Sequence, residues 1–213
     1  METNSLTQLK GKKGVKDLKI VLKDMEPYIR AVSPLWDGRP FTNFSLRARE
    51  IWTLWLLCAV MGLAHKTRAT FCEDDERDGI LVDLDADAWI KVENVAVMKF
   101  KDRQPLQGEQ GIIDAIQKKI DKGPQYAKGV ILTVFFDGIG QMYANRIAKH
   151  FSGKHHFEKI YLVGLVNDKG GAQYQYSVSD IFEQDASIYT IDITPDFSSW
   201  HVTKIQESVM DKK

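Results

Sequence analysis

The sequence predicts an α/β protein in which a mixed β-sheet is flanked by helices. Three observations predict it. Residues 130–136 (VILTVFF) and 159–166 (KIYLVGLV) are apolar almost throughout, the pattern of strands buried on both faces. Ile112, Ile113, Ile116 and Ile120 recur at helical spacing shortly before the first of these runs, so an amphipathic helix leads into a buried strand. Residues 78–83 and 89–97 read as two strands joined by the tight polar link 85–88, a hairpin. Packing helices on a sheet is the natural way to bury all of these faces.

Along the chain, residues 6–23 are basic, with Lys10, Lys12, Lys13, Lys16 and Lys19, while Leu18, Val21 and Leu22 mark a short helix. This arm reads either as a solvated N-terminus or as a basic segment that touches a phosphate backbone. Ser33-Pro34 and Gly38-Arg39-Pro40 mark loops, because Pro and Gly punctuate regular structure. Residues 42–45 offer N-caps for a long helix ending near His65, with Leu54, Leu57 or Cys58, and Met61 as its stripe and Glu50 at the stripe's edge. After the hairpin and Pro105 comes a helix over 109–122, stopped by Gly123-Pro124. Asp137-Gly138-Ile139-Gly140 turns the strand 130–136 into a helix over 141–151. Residues 173–178 and 187–193 are further strands, and Pro195 and Trp200 lie in a C-terminal extension. No stretch has linker composition, so 1–213 reads as a single domain: an N-terminal arm over 1–42, a core over 43–137, and an additional helix and strands over 138–213.

Bulk composition narrows the class. With 213 residues, 44% hydrophobic and 27% charged, the chain has the makeup of an ordinary globular protein. Its 29 basic residues balance its 29 acidic ones, which excludes a general nucleic-acid coat and makes any basic surface local. Two cysteines, Cys58 and Cys72, build neither a disulfide framework nor a CxxC metal site, and a reducing cytoplasm fits. The start MetGluThrAsnSer has no signal-peptide core, and the apolar run 51–63 is short of the roughly 20 residues a membrane span needs.

The acids of the hairpin stand out. Glu93 shares a strand face with Val95 and Val97, and a carboxylate on such a face must be paired, metal-bound or functional, because burying it bare is costly. With 85–88 as the loop, Ile80 lies opposite Glu93 and Asp78 opposite Val95, which makes Asp78 and Glu93 diagonal neighbours roughly 7 Å apart. That gap suits one divalent cation between two carboxylates. Each acid also has a plainer reading. Asp78 opens an Asp-Gly turn, Glu93 pairs with Lys91, Arg77 or a lysine across the sheet, and Glu50 pairs with Arg47 three residues earlier.

This hairpin, with a helix before it and a helix and strand after it, resembles the core of the restriction-endonuclease-like superfamily over residues 43–137. That family carries an acid at the start of one strand, a Glu-x-Lys triplet on the next, and often an acid on the preceding helix. The matching positions are Asp78, Glu93-Asn94-Val95 and Glu50. The resemblance implies metal-dependent hydrolysis of DNA phosphodiester bonds, with Mg²⁺ or Mn²⁺ held by Asp78, Glu93 and the backbone carbonyl of Asn94, and a homodimer that places one site on each strand. The triplet lysine is replaced by Val95, which can neither orient water nor stabilise phosphorane charge. Lys119, one turn from Ile116, is the preferred substitute over Lys91 and Lys99. The expected catalytic set is therefore Glu50, Asp78, Glu93 and Lys119. Two further readings stand beside it: a nuclease-like fold that binds DNA or protein without catalysis, and a small-ligand-binding α/β protein using the turn after Phe136. His155-His156 reads as a surface loop, and Trp52, Trp55, Trp89 and Trp200 as core.

Overall fold

A computed structural model describes residues 5–15, 17–31, 35, 38–98, 108–137, 141–168, 170 and 173–206. Ser33-Pro34, Lys16, Lys99, Pro105 and the turn residues Gly138, Ile139 and Gly140 lie outside the described residues. The architecture is α/β: one eight-stranded mixed sheet with helices on both faces. The strands are β1 (Ala69–Cys72), β2 (Ile80–Asp83), β3 (Ala88–Met98), β4 (Val130–Asp137), β5 (Lys159–Asn167), β6 (Tyr174–Phe182), β7 (Asp185–Ile193) and β8 (Trp200–Gln206), and they lie side by side in sequence order. The pairs β3–β4 and β4–β5 are parallel and the other pairs antiparallel.

Parallel neighbours need crossovers. Helices α3 (Gly108–Ile120) and α4 (Pro124–Ala127) carry the chain from β3 to β4, and α5 (Ala144–Phe151) carries it from β4 to β5. They bury Ile112, Ile116, Ile147 and Phe151 against Val97, Leu132, Val134, Phe136, Ile160 and Leu162. The opposite face of the sheet holds α1 (Leu18–Ala31) and α2 (Ala48–Ala64). From Ala48 to Val60 every residue of α2 is buried, so the expected one-sided stripe is a helix enclosed on all sides. Trp52 stacks on Trp55 at 4.8 Å and meets Tyr176 of β6 at 5.2 Å. Trp55 meets Trp200 of β8 edge-on at 5.0 Å and donates its indole N–H to the Leu18 carbonyl at 2.8 Å. The sheet curls around α2, which packs against both edge strands, β1 and β8.

The N-terminal arm is docked where it is described. Val15 N–H donates to Phe71 O at 2.9 Å and Glu73 N–H to Lys13 O at 2.9 Å, which covers the free edge of β1. Among the described residues no helix is long and apolar enough to cross a membrane.

Candidate functional site

The site starts from a hairpin whose register differs from the expected one. Asp83 pairs with Ala88 and Ile80 with Lys91, so the turn is residues 84–87 and not 85–88. The reason is local. Asp83 Oδ1 accepts from the N–H groups of Asp85 and Ala86 at 3.0 and 2.9 Å, an Asx-type closure, and Asp87 takes the positive φ of 49° that ends the turn. The register shifts by two residues, an even number, so every side chain keeps its face. The strand begins at Ile80 and not at Asp78; just before it, Asp78 N–H donates to Val92 O at 3.1 Å and Val92 N–H donates to Gly79 O at 2.8 Å, so Asp78 and Gly79 both stand against Val92 and Asp78 is not opposite Val95.

Gly79 sets the approach of this strand to α2. Its φ is 136°, and a Cβ there would stand 2.5 Å from Leu54 Cδ1. Only glycine accepts both conditions. Asp78, just before it, points its Oδ2 at the backbone N–H of Asn94 at 2.7 Å.

Strand alternation splits the Glu93-Asn94-Val95 triplet. Asn94 faces α2, where its amide donates to Thr53 Oγ1 at 3.1 Å and to Thr133 Oγ1 at 3.0 Å. Buried Arg49 donates to the Leu35 carbonyl at 3.3 Å and approaches Asn94 Oδ1 at 3.5 Å. Glu93 faces α3, where Lys119 contacts one carboxylate oxygen and Arg77 donates to the other at 2.9 Å. Arg77 also donates to the Tyr126 carbonyl at 3.0 Å and lies 4.0 Å from the centre of that ring. Burial works against the Glu93 charge, but bonds from Lys119, Tyr126 and Arg77 outweigh it and hold its carboxyl below the usual glutamate range.

Glu50 is the third residue of α2. Its carboxylate accepts the Arg47 N–H at 2.8 Å and stands 3.8 Å from the Arg47 guanidinium. The N-cap is therefore Arg47 and not a residue of 42–45. Pro40 and Arg47 form a bridge that delays the helix, and Ser45 instead donates its hydroxyl to Glu73 at 2.9 Å. Burial raises the Glu50 carboxyl above its ordinary range, and the charge of Asp78 adds to the rise. Burial likewise raises Asp78, helped by the charge of Glu93 and opposed by the Asn94 N–H, Lys119 and Arg47.

Asp78 lies within electrostatic reach of Glu50 on the α2 side and of Glu93 and Lys119 on the α3 side, while Glu50 and Glu93 belong to opposite faces of the sheet. Lys91 pairs with Glu76 and Asp74 and not with Glu93. Sequence reasoning found Lys119 from its helical spacing and named Arg77 as one possible partner of Glu93. It missed Arg49, Thr53, Tyr126 and Thr133. Among the described residues no three His, Cys, Asp or Glu side chains gather closely enough to enclose a metal by themselves. His155 is half-buried and His156 exposed, and both cysteines are free and buried. Compared with known proteins, the chain matches no family model, no curated protein and no solved structure.

Proposed function

We propose that the chain is a metal-dependent endonuclease of the restriction-endonuclease-like kind, hydrolysing DNA phosphodiester bonds around Asp78. The observation that carries this reading is the reach of Lys119 from α3 to Glu93, which supplies the amine that Val95 removes from the strand. The order of helix, three antiparallel strands, helix and parallel strand supports it too. Asp78 supports it electrostatically. It is a carboxylate raised by burial between two other acids, an arrangement that a cation relieves.

Asp78, Glu93 and the Asn94 carbonyl would hold Mg²⁺ or Mn²⁺, a hard ion that keeps several waters and needs no complete protein cage. When bound, such an ion neutralises phosphate charge and makes a bound water more acidic. The protein's own groups do the rest. Lys119 holds an ammonium beside the reacting phosphate, Arg77 keeps Glu93 ionised, and Glu50 orients water next to Asp78. Cutting both strands takes two copies of the chain, each with one site.

A second reading keeps the fold and drops the chemistry: a DNA- or protein-binding module. It is favoured by Arg77 and Lys119 together occupying both oxygens of Glu93, which leaves that carboxylate already neutralised. Incubation of supercoiled plasmid with Mg²⁺ or Mn²⁺ decides between them. Nicking that falls about a hundred-fold or more in Asp78→Asn and in Lys119→Met is the expected outcome. DNA retention without nicking in either metal supports the binding module and rejects the enzyme.

A further inference from the structure

The first turn of α2 holds a cation whose charge no close acid neutralises. Arg49 is the second residue of the helix and is only 8% exposed. Its Nε donates to Asn94 Oδ1 at 3.5 Å and its Nη1 to the Leu35 carbonyl at 3.3 Å. Both bonds are longer than the roughly 2.7–3.2 Å of an ordinary N–H···O contact, and both acceptors are neutral. A guanidinium stays protonated in proteins and donates from all of its nitrogens. Among the described residues nothing accepts from Nη2, and no carboxylate stands within ion-pair distance of Arg49. The other half-buried cations of the site differ, since Arg77 and Lys119 share Glu93.

The surroundings fix Arg49 in place. The Asn94 amide donates to Thr53 and Thr133. Thr53 in turn donates to the Arg49 carbonyl at 2.9 Å, and Thr133 to the Glu93 carbonyl at 3.1 Å. Asn94 Oδ1 is thereby left for the guanidinium, while the Asn94 backbone N–H holds Asp78 Oδ2 at 2.7 Å. One residue ties Arg49 to Asp78. Burial pushes the guanidinium below its ordinary value, and the charges of Glu50 and Asp78 act the other way. A buried charge without a close counter-charge is costly, and an anion brought by a ligand removes that cost.

We infer that Arg49 is a substrate-binding residue, which takes the non-bridging oxygens of a DNA phosphate beside Asp78 on its unused N–H groups. This rests on the reading of Asp78 as the centre of a nuclease site. Glu50 and Asp78 alone would repel a phosphate. A fixed guanidinium on the same side of the sheet reverses that, and its planar fork matches paired phosphate oxygens as an ammonium does not. Free phosphate shares the chemistry, and the choice of probe separates the two.

The test is retention of a short labelled duplex in an Asp78→Asn background, where cleavage does not confound binding. Adding Arg49→Met is expected to weaken retention about ten-fold. It should also make the fall of log K with log salt shallower by about 0.9, the share of one phosphate contact. A merely structural role leaves that slope unchanged. Arg49→Lys keeps the charge and the slope but loses the fork, so retention falls about ten-fold; it decides the matter if Arg49→Met does not fold. With Asp78 intact, Arg49→Lys lowers plasmid nicking by about ten-fold or more. A wild-type chain that nicks no plasmid in Mg²⁺ or Mn²⁺ rejects the enzyme, while the slope still decides the Arg49 contact. Equal slopes with and without Arg49→Met, retention by Arg49→Lys as tight as by arginine, or binding of inorganic phosphate with no retained duplex overturns the inference.

Discussion

At the scale of single residues, the structure separates an acid whose carboxyl two close cations hold low from two whose carboxyls burial raises. Glu93 sits between Arg77 and Lys119, with side chains 11%, 16% and 15% exposed. Removing one partner of a buried charge network leaves the others uncompensated. Glu93→Gln is therefore expected to lower stability by about 3–5 kcal/mol in urea unfolding, and a loss well under 1 kcal/mol would mean that the network contributes little to folding. Glu50 and Asp78 behave in the opposite sense. Their folded carboxyls are held above the ordinary range by burial, so the native state binds protons that the unfolded chain gives up. Their contribution falls as pH rises from the unfolded to the folded value and returns on acidification through the same interval. Glu93, whose folded value is depressed, contributes stability above the ordinary glutamate value that is lost as pH falls through the folded one. Asn at position 78 keeps an acceptor for the Asn94 N–H and carries no charge. Asp78→Asn should gain about 0.5–2 kcal/mol at neutral pH while activity disappears, the exchange expected where a charged site is kept for function. Thermal melts across mild acid check both the gain and the flatter pH profile. Lys119 was legible at this scale because its spacing from Ile112 and Ile116 turns it to the sheet. Tyr126 was not, because a four-residue helix after Gly123-Pro124 presents it, and no periodicity reads through so short an element.

At the scale of elements, buried strands and amphipathic helices were the legible part. The runs that became β4 and β5 are apolar on both faces, and at seven or eight residues between turn signals they are too short for a buried helix such as α2. Strands β1 and β8 were overlooked. β1 has four residues, and β8 lies at an edge with His201, Thr203, Lys204 and Ile205 exposed and no residue fully buried, so little burial marks the sequence. The two-residue register error came from reading Ala88 as loop, when the Asp83 side chain closes the turn earlier. Gly79 joins the hairpin to α2 through backbone geometry that no pattern displays. Ala at this position meets both the positive φ and the Leu54 methyl. Gly79→Ala is expected to destabilise the fold by about 1–3 kcal/mol and to displace Asp78, so activity should fall further than the loss of folded protein explains. Adding Leu54→Ala relieves the contact but not the φ, and rescue is then partial. Full rescue by the double change would assign the whole effect to the contact.

At the scale of the whole molecule, the site draws on Glu50 of α2, Asp78 just before β2, Glu93 of β3 and Lys119 of α3, around one sheet and its two cores. Opening the site therefore means separating a helix from the sheet, which couples ligand binding to global unfolding. A ligand that binds only the folded state stabilises it by mass action, by about 2.7 kcal/mol at a hundred-fold excess over its dissociation constant. A chain of this size gains about 2–4 °C in Tm per kcal/mol, so saturating Mg²⁺ or Mn²⁺ should raise Tm by about 5–10 °C. The sign follows from the acids. Glu50 and Asp78 carry unfavourable charge that a bound cation relieves, so the shift should be larger at neutral pH than in mild acid, where protons compete for the same oxygens. Asp78→Asn should start from a higher Tm and show no metal response. Lys119→Met removes a competing cation from Glu93 and should keep or enlarge the response. A Tm that is indifferent to both metals in the wild-type chain, or one that rises equally in Asp78→Asn, removes the metal from this site and with it the hydrolytic reading.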